Sequence, residues 1–331
     1  MYAVVVTAPF RAIRVGSRID ILLLLMTFIW GTNYSLVKYA FREMDPQAFN
    51  AVRMTLASAV FLSIIVGLRR VGVARAGAPG DASIASIFHS PAPITRRDWL
   101  HLAGLGIVGH FLYQLLFISG LAETSVANSS LLLAATPVMI ALASAGLGLD
   151  RVSPLHWVGA ALSVIGIYLV VGHSTDLSGS SLAGDLKILG AVVCWAAFTI
   201  GARPLMRRHS PVGVTGVSMT IGTVLYLAAL APHLLEVRWT GISLVTWAAL
   251  VYSALLALCV SYTIWYAAVR EIGSARTAVY SNLVPVVALL TAVVFLGEPL
   301  GATRAAGAAA VLVGVALTRV GRTKIPIPAE E

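Results

Sequence analysis

Only two cysteines stand in 331 residues, Cys194 and Cys259, and both fall inside long apolar runs. That pair offers neither a disulfide framework nor a zinc-binding spacing, and each reads as a small buried hydrophobe. Charge is scarce too. Asp, Glu, Lys and Arg make up 11% of the chain, against about 25% in a soluble domain. With 58% hydrophobic residues, the chain has too little charge to cover a water-facing surface. All 14 carboxylates lie at the ends of apolar runs or between them. A relay of mid-membrane acids is thereby excluded. The seven histidines are scattered over separate runs and loops, which counts against a catalytic His/Asp cluster.

What the sequence has instead is apolar length. A membrane-spanning helix needs about 20 apolar residues. Ten such runs are present, near 19–39, 47–68, 99–119, 124–147, 153–172, 184–204, 211–233, 243–268, 273–297 and 302–320. The expected fold class is an all-α polytopic membrane protein of ten transmembrane helices. Residues 69–98 form a Pro/Gly/Ser-rich loop, and 1–18 and 321–331 flank the bundle. Arg11, Arg14 and Arg18 before "ILLLLM" imitate a signal peptide. The run continues into a full span without a small-residue cleavage pattern, so it reads as an uncleaved first helix.

The net charge of +9 is distributed by side. Seventeen of the 23 Lys and Arg fall on the side of the N-terminus, five on the other, and Arg53 within a span. This asymmetry places both termini and the loop 69–98 in the cytoplasm of an inner (plasma) membrane protein. The basic loops then face lipid headgroups, and nucleic acid is not a partner.

The chain also contains itself twice. At an offset of 165, Asp20, Trp30, Lys38 and Pro46 fall on Asp185, Trp195, Arg203 and Pro211. At an offset of 148, Trp99, Pro137 and Asp150 fall on Trp247, Pro285 and Glu298, and Gly159 and Gly166 on Gly307 and Gly314. Each copy holds five runs, an odd number, so the copies enter the membrane with opposite orientation. The repeats are bounded at 19–172 and 184–320.

These features resemble the drug/metabolite transporters of the EamA type. The resemblance rests on "WGTNYSLVK" (30–38), Pro46 with Arg53, "LLLAATPV" (131–138), "NLVPVVALLTAVVFLGEPL" (282–300) and the paired glycines. It departs at Asp150, where Glu is usual, and at Ser218, which stands where the first copy has Arg53. The resemblance implies a secondary transporter of a small metabolite such as an amino acid, with export the expected direction and no bound cofactor, metal or enzymatic role. The alternatives are a membrane-embedded lipid-modifying enzyme and a non-transporting assembly protein. The expected partners are a small solute and membrane lipids, and a homodimer stays open.

Candidate binding residues follow from helical spacing. Trp30, Asn33, Tyr34 and Lys38 share one face of span 1. Such a polar stripe is costly toward lipid and belongs to the bundle interior. Lys38 also suits anchoring at the helix end. Span 3 repeats the pattern with His110, Tyr113, Gln114 and Phe117, and span 8 with Leu258, Ser261, Tyr262 and Trp265. Tyr280 and Asn282 join from span 9. His110, the one histidine at mid-depth, is the candidate proton-coupling group. Pro137 and Pro285 are matched hinge candidates. Arg53 has no carboxylate at its depth, so an anionic solute head is its expected partner, with aromatic rings holding an apolar body; the alternative is a structural Arg that caps carbonyls of a neighbouring helix. "GLGIVG" (104–109) matches a dinucleotide fingerprint, but it lies mid-helix with no strand before it. Its glycines fit close helix contact instead.

Overall fold

The structure is a computed structural model that describes residues 18–70, 85–88, 93–136, 138–139, 143, 154–171, 181–206, 208–272, 280–281, 283–298 and 301–320. Among these residues every regular element is helical. The first three main helices are α1 (Arg18–Ala40), α2 (Pro46–Arg70) and α3 (Arg96–Glu123). Then come α4 (Val126–Ala134), α5 (Pro154–Val171), α6 (Leu182–Met206) and α7 (Pro211–Leu235). The last are α8 (Leu244–Val251, Tyr252–Val260 and Ser261–Ile272 in succession), α9 (Val284–Leu296) and α10 (Ala302–Val320). Among the described residues, a helical segment lies within each of the ten expected runs. Six of them, α1, α2, α3, α6, α7 and α8, are long and apolar enough to cross a membrane.

Helix starts are written in the sequence. The first N–H groups of a helix have no partner within it, and several starts here supply an acceptor. Asp45 accepts from the backbone N–H groups of Gln47 and Ala48, both at 2.9 Å. Ser125, Ser210 and Ser243 accept from Asn128, Gly213 and Thr246. Thr95 and Asp98 form a reciprocal capping box at the start of α3.

The helices pair as the repeat demands. α1 lies against α8 and α9, and its counterpart α6 lies against α3 and α4. α2 meets its own counterpart α7, and α5 meets α10. Exchanging the two copies maps each contact onto another, so the halves interlock rather than sit side by side. The tightest crossings are at glycine. A Cβ on Gly222 would stand 2.4 Å from the Cβ of His110 and 2.8 Å from the carbonyl oxygen of Gly106. One on Gly166 would stand 2.8 Å from the carbonyl oxygen of Gly307.

Two helices widen at matched places. α3 runs as π-helix over Ile107–Leu112, and α8 over Tyr252–Val260. A third π segment, Ala292–Leu296, closes α9. Pro285 lies in the first turn of α9, where its missing N–H costs no helical bond. Its mate Pro137 lies outside the described residues.

Candidate functional site

Arg53 is the centre of the site. It sits two turns into α2 and is 1% exposed. Its guanidinium donates to the Gln114 side-chain oxygen at 2.5 Å and to Ser253 Oγ at 3.0 Å. Gln114 lies on α3 in the first copy, and Ser253 on the π segment of α8 in the second. Arg53 thus ties the halves together through neutral groups. Among the described residues it makes no ion pair, and its Nε has no hydrogen-bond partner. A buried guanidinium without a counter-charge is costly. One turn earlier, Asn50 is fully buried and its side-chain oxygen is also without a partner.

A continuous wall of rings adjoins these groups. Trp30 of α1 and Trp195 of α6, repeat mates, approach the same Tyr262 ring at 6.0 and 5.6 Å between centroids. The Trp30 indole donates to the Ala257 carbonyl at 2.9 Å, which fixes its orientation. Trp265 lies 5.7 Å from Trp30, and Tyr113 lies 5.2 Å from Trp195. Phe117 stacks on Tyr113 at 5.8 Å and meets Tyr34 edge-on at 5.7 Å. Asn33 lies on the adjacent turn of α1, buried, with an unpartnered side-chain oxygen. The expected residues Trp30, Asn33, Tyr34, Arg53, Tyr113, Gln114, Tyr262 and Trp265 thus stand in one region between the copies.

Other expected residues stand elsewhere. Lys38 does not reach this region; its ammonium donates to the carbonyls of Leu121, Ala122 and Thr124 at 2.7 to 2.9 Å. It caps the end of α3, where the helix dipole favours a cation. Tyr280 donates to Asp20 Oδ1 at 2.7 Å and accepts through its carbonyl from Thr27, tying the chain before α9 to α1. His110 is fully buried between α3, α6 and α7, with its ring 5.0 Å from Phe198 and neither nitrogen partnered. Asn282 lies outside the described residues. Ser218, the mate of Arg53, donates to the Val214 carbonyl within its own helix. The cation is therefore a feature of one copy only. Ser253, Trp195 and Asn50 complete the site without having been singled out by spacing.

Two tandem segments, residues 17–172 and 182–320, match one family of membrane transporters. The chain belongs to the EamA-like transporter family. It is thus a multi-pass membrane transporter and not an enzyme. It is 27% identical to "Uncharacterized transporter YyaM" of Bacillus subtilis over 93% of this chain and 95% of that protein. A "Probable amino-acid metabolite efflux pump" of Salmonella typhimurium is 26% identical over 91% and 94% of the respective chains. A "Probable terminal-alkyne amino-acid exporter" of Streptantibioticus cattleyicolor is 31% identical over 74% and 83%. The EamA chain also shares its fold with a protein of known crystal structure, at TM-score 0.59 and 18% identity, over 93% of this chain and 99% of the other.

Proposed function

We propose that this transporter exports small amphipathic metabolites, amino acids being the expected class, by alternating access through the ring-walled region between its repeats. The observation that carries the reading is Arg53, a buried cation held by neutral partners with one nitrogen unpartnered. A solute carboxylate would supply the missing charge in a low-dielectric setting. Trp30, Tyr113, Trp195 and Tyr262 would take an apolar side chain. Relatives named "Probable amino-acid metabolite efflux pump" and "Probable terminal-alkyne amino-acid exporter" support the same class and direction. The charge asymmetry supports a cytoplasmic placement of both termini in a plasma-membrane protein.

Purified full-length protein in liposomes should exchange labelled apolar amino acids for unlabelled ones. Folded protein that exchanges no member of a panel of amino and organic acids would overturn the reading.

Energy coupling falls to His110, a titratable side chain with both nitrogens unpartnered beside the site. His110→Gln is expected to retain downhill exchange and to lose flux driven by a pH gradient. Equal pH-driven flux in wild type and variant would remove His110 from that role.

A further inference from the structure

At each end of the bundle, a carboxylate bridges the two copies at matched positions. The loop between α1 and α2 carries Glu43, and the loop between α6 and α7 carries its mate Arg208. The starts of α3 and α8 are mates as well: Thr95 matches Ser243, and Asp98 matches Thr246. Each loop residue reaches the helix start of the opposite copy. Glu43 Oε2 accepts from the Ser243 backbone N–H at 2.9 Å and from the Thr246 hydroxyl at 2.8 Å. Arg208 donates to Asp98 Oδ1, and His209 Nε2 lies 3.3 Å from Asp98 Oδ2.

The chemistry of the two junctions is the same with its parts exchanged. A capping box needs a carboxylate that takes the N-cap backbone N–H. At α3 that carboxylate is the helix's own: Asp98 accepts from the Thr95 N–H at 2.9 Å. At α8 the matching residue is Thr246, which has none. Glu43 supplies it from the other copy, so the box at α8 is complete only while the halves are in contact at that end. Hydrogen bonds from Ser243 and Thr246 hold the Glu43 carboxyl below the usual carboxylate range.

The junctions lie at opposite ends of the bundle. α2 starts three residues after Glu43 and its 25 residues run about 37 Å away from it. α7 starts beside His209 and ends with His233 against Asp45, 3.1 Å apart, so it returns to the Glu43 end. The Arg53 site lies between the two ends, two turns into α2. Both junctions are closed in this structure.

We propose that the Glu43 and Asp98 junctions are the two gates of the transport cycle, opened one at a time. The proposal rests on the alternating-access reading but not on the solute assigned to it. A rocking motion of interlocked halves must part contacts at one end while keeping those at the other. Pseudo-symmetry supplies one junction per end. The charge exchange lets each be weakened separately.

The test uses full-length protein without Cys194 and Cys259 (both replaced by Ala), with Ser253→Cys as a thiol reporter beside Arg53. An impermeant maleimide is applied from either face in right-side-out and inverted vesicles. Glu43→Gln should raise labelling from the Glu43 face about fivefold, and Asp98→Asn by a similar factor from the opposite face. Labelling that rises on the same face in both variants, or in neither while both remain folded, would overturn the gates. A second measurement covers variants that fold poorly. Glu43→Cys with Thr246→Cys, bridged by a short reducible crosslinker, should arrest exchange until reductant is added. Full exchange by the bridged protein would overturn the proposal. Opposite-sided labelling supports the gates even if amino acids are not transported, so an error in the solute class shows separately, as absent exchange.

Discussion

Arg53→Lys should leave a folded transporter whose affinity for carboxylated solutes has fallen by about ten- to a hundredfold, with little change for the corresponding amides. A hydrogen bond to a charged group is worth roughly 1.5–3 kcal/mol, which sets that range. Lysine keeps the charge but loses the planar fork. In this structure the fork holds two partners and has one donor left over. One terminal nitrogen donates to Gln114, the other to Ser253, and Nε has no partner. An ammonium can satisfy the first two from a single atom, but it cannot also present a parallel pair of donors to a carboxylate. Amides carry no charge to pair, so their binding depends on the rings around Trp30 and Tyr262. Competition binding of an apolar amino acid and its amide to the purified variant checks this. An equal loss for both would assign Arg53 to structure, as would loss of folded protein.

Gln114 was legible in the sequence as a partner for such a site, because helical spacing puts it beside Tyr113 and Phe117 on one face of α3. Ser253 was not. It belongs to a π segment, whose hydrogen bonds close over five residues instead of four, so a period of 3.6 read back from Tyr262 loses its phase there. His110 and Tyr113, put on one stripe by spacing, meet Phe198 and Trp195, which stack on each other along α6 at 5.6 Å. Lys38 shows another limit. Its place at a helix end was readable, but no sequence pattern says that the carbonyls ending α3 lie alongside. Trp195 was visible as the mate of Trp30 in the repeat, yet only the exchange of α1 and α6 in the packing brings both rings onto Tyr262. The family, the membrane class and the repeat were legible because hydropathy, charge asymmetry and internal matching each sum over many residues. Site geometry depends on single turns.

The motif "GLGIVG" yields the second large effect, and its three glycines are expected to give different results. Gly104 is exposed, and a Cβ there would meet nothing within 4 Å. Gly104→Ala should therefore be neutral or slightly stabilising, since alanine is the better helix former by roughly 1 kcal/mol. A Cβ on Gly106 would stand 2.7 Å from the Ser218 carbonyl oxygen. One on Gly109 would stand 2.2 Å from the Phe198 ring. The facing position is Gly222 of α7, whose added Cβ would meet His110 and the Gly106 carbonyl together. Those neighbours are the backbone and Cβ of a packed helix, so they cannot swing aside as the tip of a long side chain could. Gly222→Val must push α3 and α7 apart, at a cost of about 3 kcal/mol or more. Thermal unfolding of the purified protein in detergent should show a clear loss for Gly222→Val and none for Gly104→Ala. Equal stability of the two would show that the α3–α7 crossing is not a close contact. α3 and α7 come from opposite copies, and α3 carries Gln114 to Arg53. A variant of Gly222 that still folds should therefore transport poorly, because the spacing of this crossing also sets where Gln114 meets the guanidinium.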